Sequence, residues 1–193
     1  IYSNKNLHYK FNVFIKKYLI FLIFLLLSIV TLQPIVVYFI IGKEFQEIVK
    51  YIPLISFGFI FWCIGSFYGV IYQCEKKTLG LSISAVISSL CVIISNLIFS
   101  ISYNLYFASF SFIFGFLIFS VYRIIDSRKF IKIKFPFIEF IAYSFPAYII
   151  YFIGITIPLD KYVIISIVFF ILFFILNWKN IVNFSKYFKA VKP

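Results

Sequence analysis

The chain has 193 residues, 64% of them hydrophobic, and a formal net charge of +12. Ordinary soluble domains hold roughly 45–50% apolar residues, so one water-soluble core of this size cannot hide so much apolar side chain. The charge does not point to nucleic acid either. The basic residues fall between long apolar runs, where anionic lipid headgroups are their natural partner.

Residues 1–18 form a polar, basic segment with Lys16 and Lys17 at its end. The first predicted span, residues 19–41, is long enough to cross a hydrocarbon core of about 30 Å at about 1.5 Å per residue. It is too long for the apolar region of a signal peptide and lacks a small-residue cleavage site. Pro34 is expected to kink its outer half, because a proline ring has no N–H to donate and crowds the preceding turn. A polar outer loop leads to span two, residues 52–74. A four-residue inner turn, Glu75 to Thr78, leads to span three, residues 79–101. An outer turn near Ser102–Asn104 precedes span four, residues 105–125. The inner loop from Arg123 to Phe137 interleaves Phe130, Ile131, Ile133 and Phe135 with Lys129, Lys132 and Lys134, a pattern that suits a segment lying at the membrane interface. Spans five (137–157) and six (162–178) form a hairpin around residues 158–161, with Tyr162 and Trp178 as interfacial anchors. A basic tail, residues 179–193, follows. The predicted fold is an all-α membrane protein, a six-transmembrane-helix bundle.

The distribution of Lys and Arg checks this segmentation. Counted from N to C between spans, with Arg123 assigned to the loop it borders, it runs 4, 2, 2, 0, 5, 1 and 4. Alternate segments therefore hold 15 on one side and 3 on the other. Short cytoplasmic loops collect Lys and Arg in this way. The expectation is a multi-pass protein of the cell inner (cytoplasmic) membrane with both termini cytoplasmic.

No catalytic set emerges from the sequence. Cys63, Cys74 and Cys91 lie inside spans without paired spacing, as small buried hydrophobes do. His8 is the single histidine and has no partners for a metal site. An enzyme acting on envelope sugars or acyl groups is expected to place acids, His or Arg together near one membrane face. Here the outer face offers only Lys43, Glu44, Glu47, Lys50, Asp160 and Lys161. The expectation is a non-enzymatic protein without metal or cofactor. The aromatic share of 24% matches a genome rich in Ile, Phe, Lys, Asn and Tyr codons and is not taken as a site.

Three constellations stand out. Gly58, Gly65 and Gly69 share one face of span two and permit close approach of a neighbouring helix, either as fixed packing or as a sliding seam in a transporter. Span three carries Ser84, Ser88 and Ser95 on one face and Ala85, Ser89 and Asn96 on another. These serve either interhelical hydrogen bonds or the wall of a hydrophilic cavity. Gln33 and Asn96 fall in the outer halves of their spans and are candidates for the same cavity. Arg123 and Glu139 lie near the inner ends of spans four and five, where an ion pair or snorkelling competes with a contact to phosphate at an inner mouth.

The order of these pieces resembles polysaccharide-unit flippases, the Wzx-type branch of the MOP superfamily. The resemblance runs over roughly residues 19–128. It is carried by Gly42–Lys43 after a span, the Tyr-x-Pro from Tyr51 to Pro53, the Glu-Lys-Lys-Thr inner turn and the serine-rich span after it. It implies one lobe of a two-lobe MATE-like transporter that moves an undecaprenyl-diphosphate-linked oligosaccharide across the membrane by alternating access for surface polysaccharide biosynthesis. Membrane lipid, the lipid-linked oligosaccharide and a missing N-terminal lobe would be the partners, with no nucleic acid. The absence of methionine, even at position 1, fits a C-terminal portion of something longer. Under this resemblance Gln33, Ser88, Ser95, Asn96 and Arg123 are the substrate-path candidates. Rivals are a small-molecule or multidrug exporter of the same superfamily, a truncated envelope-sugar polymerase or acyltransferase, and a decayed gene product.

Overall fold

A computed structural model describes residues 4–37, 40, 43–99, 105–131, 135–156, 161–162, 164–165, 167–168, 171–172, 174–176 and 178. Among them all regular structure is helical. The helices are α1 (Asn4–Val36), a 3-10 helix (Lys43–Lys50), α2 (Ile52–Cys74), α3 (Leu79–Phe99), α4 (Leu105–Asp126), a short 3-10 turn (Ser127–Lys129) and α5 (Phe137–Thr156). Four stretches are long and apolar enough to cross a membrane: Phe11–Pro34, Ile52–Cys74, Leu79–Ile98 and Leu105–Lys129. Phe137–Ile149 forms a shorter apolar helix. The described residues between 161 and 178 are helical as well.

Spans two, three and four begin where the hydrophobic pattern put them. α2 starts after Tyr51 with Pro53 in its first turn, where the missing N–H costs nothing. It stops at Cys74, because Glu75 to Thr78 turns back through bonds from the Glu75 N–H to the Ile71 carbonyl and from the Lys77 N–H to the Tyr72 carbonyl. Lys76 closes that turn at φ 55°. The N-terminal segment differs from expectation. It is helical from Asn4, so Lys16 and Lys17 lie within α1 and not ahead of it. No Gly or Pro occurs before Pro34 to stop the helix sooner. Residues 38–39, 41, 100–101 and 157 at the predicted span ends, the expected loop residues 42, 102–104, 132–134 and 158–160, and the tail 179–193 lie outside the described residues.

The chain divides into two compact units, one built from Ile1–His8 and Tyr51–Phe135, the other from Tyr9–Lys50 and Pro136–Pro193. In the first unit α4 packs against both α2 and α3, whereas α2 and α3 meet little despite the tight turn that joins them. α4 is therefore the central helix and α3 the outermost. Aromatic rings line the α2–α4 seam. Phe59 meets Phe112 at 5.4 Å, and Phe112 meets Phe116 edge-on at 4.4 Å.

In the second unit α1 buries one helical stripe, Ile15, Leu19, Leu22, Leu26 and Val30. Phe14, Phe21, Leu25, Ile29 and Leu32 stay exposed on the other side. Phe24 touches Phe174 at 5.9 Å. Lys16 forms an ion pair with Glu139 in the first turn of α5, where the helix dipole favours an acid. An Arg123–Glu139 pair was one of the alternatives open for Glu139, which takes Lys16 instead.

Candidate functional site

The glycines of α2 form a groove filled by α4. A Cβ on Gly58 would lie 2.8 Å from Phe112 Cδ1, and one on Gly65 only 2.5 Å from Phe119 Cδ1 and 3.2 Å from the Ser120 Cα. At Gly69 the intruding atom is Arg123 Nη1, at 2.7 Å. The last case explains a residue type that the spacing alone did not: Gly69 makes room for a guanidinium. Two further glycines are as crowded. A Cβ on Gly115 of α4 would meet Val92 and lie 3.2 Å from the Ser88 carbonyl oxygen, and one on Gly80 would lie 2.5 Å from the Tyr72 ring. Gly80 seats a ring that reaches across from α2.

Arg123 is 8% exposed and clamps three helices together. Its Nε donates to Ser84 Oγ at 2.8 Å, Nη1 to the Gly65 carbonyl at 3.2 Å and Nη2 to the Leu81 carbonyl at 3.4 Å. The guanidinium also covers the Phe119 ring at 3.9 Å. Among the described residues no carboxylate lies within ion-pair distance of it. Carbonyl dipoles, a hydroxyl and a ring face therefore hold the charge, and its place in the last turn of α4 adds the negative end of the helix dipole. One turn on, Asp126 accepts from the Tyr72 hydroxyl at 2.8 Å and pairs with Lys129.

The serines of α3 divide by face. Ser88, 5% exposed, donates to the Gly115 carbonyl of α4 at 2.8 Å, and Ser84 holds Arg123. Ser95, 9% exposed, turns back to its own Cys91 carbonyl at 2.6 Å. Ser84 and Ser88 thus join α3 to α4, while Ser95 is satisfied within α3. Ser89 is exposed and satisfies itself on the Val86 carbonyl, and Asn96 is half-buried. Ile94 and Leu97, which a cavity on the Ser88–Ser95 face would turn away from solvent, are 53% and 67% exposed. Spin labels at Ile94 or Leu97, in a background lacking Cys63, Cys74 and Cys91, are expected to collide freely with dissolved oxygen in a bilayer. Labels at Ser88 or Ser95 are expected to be immobilised and shielded. The opposite pattern in power-saturation measurements would restore the cavity wall.

In the second unit, Pro34 shapes the polar chemistry. A proline at 34 gives no N–H to the Val30 carbonyl, and α1 widens into a π-type turn beyond Val36. Tyr162, 2% exposed, donates its hydroxyl to that carbonyl at 3.3 Å. Gln33 lies beside it: its amide nitrogen donates to the Val49 carbonyl at 3.1 Å, and its Oε1 atom is buried with no partner among the described residues. Sequence reasoning placed Gln33 on the list but missed Tyr162, which it took for an interfacial anchor. The signal was there in the proline, which frees one acceptor four residues back. Tyr162→Phe is expected to cost about 1 kcal/mol, the usual net value of one hydrogen bond, with the Val30 carbonyl left bare. Thermal unfolding in detergent reads this, and an unchanged midpoint would remove the Tyr162–Val30 bond from the stability account.

The chain matches no protein-family model, no curated protein and no solved structure.

Proposed function

We propose that the chain is one lobe of a polytopic carrier that moves a lipid-linked oligosaccharide (undecaprenyl-diphosphate type) across the cytoplasmic membrane for surface polysaccharide biosynthesis. Six spans, cytoplasmic termini and a second lobe upstream belong to this reading. The observation that carries it is a buried polar acceptor inside the first span. Pro34 lies within α1 and removes one bond of its helix ladder, and the adjacent Gln33 is buried with a carbonyl oxygen that has no partner among the described residues. Carriers place polar groups released from the helix ladder at their substrate sites. A buried acceptor without a partner costs about 1–3 kcal/mol, a penalty that a ligand hydroxyl relieves. The order Gly42–Lys43, Tyr51 to Pro53, Glu75 to Thr78 and the serine-rich α3 supports the same reading from the sequence side.

The packing of Ser88, Ser95 and Arg123 narrows the proposed path. Gln33 remains as its polar contact in the second unit, whereas Ser88 and Arg123 act through the helix framework of the first and Ser95 is satisfied within its own helix. Liposomes containing the full-length protein are expected to move a fluorescent undecaprenyl-diphosphate-linked sugar from the outer to the inner leaflet. Gln33→Leu is expected to lower that rate about tenfold, the value of one lost polar contact of about 1.4 kcal/mol, beyond the roughly 1 kcal/mol of stability lost with its Val49 hydrogen bond, which the thermal midpoint reads separately. Equal rates in protein-free liposomes would sink the carrier reading.

A further inference from the structure

Unit one ends in a basic rim that neither the helix framework nor the proposed path uses. Lys76 and Lys77 stand in the turn between α2 and α3, and Arg128 and Lys129 in the 3-10 turn after α4. Phe130 brings the two segments together. Its ring meets Tyr72 at 5.6 Å, and the Lys77 ammonium lies 5.0 Å from its centroid. Two acids stand by these cations: Asp126 is already engaged by the Tyr72 hydroxyl and Lys129, and Glu75, in the turn with Lys76 and Lys77, is exposed. Lys76, Lys77 and Arg128 are exposed, and among the described residues none of them has a carboxylate within ion-pair distance. Both backbone turns are fixed by hydrogen bonds, from the Lys77 N–H to the Tyr72 carbonyl and from the Phe130 and Ile131 N–H groups to the Ser127 carbonyl.

An apolar track rises from this rim. Leu79, Ile83, Val86 and Leu90 follow one another at helical spacing along α3 and are 73%, 38%, 56% and 50% exposed. From Leu79 to Leu90 the helix climbs about 16 Å, close to one leaflet of a hydrocarbon core of about 30 Å. Cations at the foot and an apolar stripe one leaflet long are the two halves of a phospholipid's own chemistry.

We propose that Lys76, Lys77 and Arg128 hold the phosphate of an anionic phospholipid whose acyl chain lies along the Leu79–Leu90 face of α3. The site rests on the membrane reading of α2 to α4 alone and stands whether or not the chain carries oligosaccharide. Phosphate diesters with a net negative headgroup suit it, because exposed lysines and arginines at a membrane surface each favour anionic over zwitterionic lipid by about fivefold.

Native mass spectrometry of the purified full chain in detergent, titrated with phosphatidylglycerol and phosphatidylcholine, tests this. The protein is expected to retain phosphatidylglycerol well above phosphatidylcholine. Lys77→Gln with Arg128→Gln is expected to erase about 25-fold of that preference, as two such contributions multiply. The exchanged pair Lys77→Arg with Arg128→Lys should keep it, and Lys161→Gln, outside the rim, should leave it unchanged. Circular dichroism of each variant separates loss of lipid from loss of fold. Equal retention of the two lipids by the unmodified chain would overturn the proposal, as would an undiminished preference in the folded double glutamine variant. Undecaprenyl diphosphate displacing phosphatidylglycerol at equimolar concentration would overturn it too, by giving the site to cargo.

Discussion

Gly65→Leu is expected to lower the thermal midpoint and the yield of monodisperse protein more than any other substitution on the α2 seam. The first added carbon already falls 2.5 Å from Phe119 Cδ1 and 2.7 Å from Cε1. That ring cannot swing aside, because Phe119 is 6% exposed and Arg123 covers it at 3.9 Å. The next obstacle is backbone, the Ser120 Cα at 3.2 Å from the same carbon. Leucine therefore forces α2 and α4 apart along their length. Overpacking a close contact costs about 1–3 kcal/mol, and this position belongs at the upper end since α4 also carries α3. Gly80→Leu meets the far edge of the Tyr72 ring and the Asp126 carboxylate at 3.4 Å, side-chain atoms that can shift at the cost of one hydrogen bond. It should be harmful but milder. Unfolding followed by intrinsic fluorescence in detergent ranks them, and a wild-type midpoint for Gly65→Leu would dismiss the seam as a structural contact.

Arg123→Leu carries the second large effect, and its form separates two roles. The guanidinium joins α4 to Ser84, Leu81 and Gly65 on two other helices. Hydrogen bonds between membrane helices average about 0.6 kcal/mol each, so three of them with the Phe119 contact amount to about 2–3 kcal/mol. Arg123→Lys recovers little of this, because an ammonium lacks the planar fork that reaches three acceptors at once. If Arg123 held a substrate phosphate, its loss would abolish transport at unchanged stability. The clamp predicts that stability falls first and that both substitutions lower it. A double-mutant cycle adds an internal check. Gly69→Ala is expected to be costly with Arg123 in place, whose Nη1 would sit 2.7 Å from the new methyl, and nearly silent with Arg123→Ala. Additive costs across that cycle would mean that the two positions do not share space.

Phosphate recognition and helix clamping ask for the same residue, which is why Arg123 was ambiguous in the sequence. Both use a cation held near the membrane end of a helix. Only the acceptors around it distinguish them, and these come from Gly65, Leu81 and Ser84, far off along the chain. Ser88 and Ser95 were ambiguous for a related reason. A hydroxyl every three or four residues suits a wet wall and a dry seam equally, and Gly115 decided the matter for Ser88 by bringing its carbonyl to 2.8 Å.

The sequence alone determined the membrane character of the chain, the starts of α2, α3 and α4 and the small-residue seam. These depend on local quantities: length of apolar run, Pro53 at a helix start, glycine at helical spacing. Which side of each helix faces protein was beyond it. Leu25 and Leu26 are the same residue side by side, yet one is 41% and the other 3% exposed. In water an amphipathic pattern would mark the buried face, but against lipid both faces are apolar and the pattern vanishes. The tertiary structure therefore decided the central place of α4, the neutral cage around Arg123 and the capping of Val30 by Tyr162. Each depends on where a polar group meets a partner distant in sequence, since in an apolar surround an unpaired polar group is costly enough to select one arrangement.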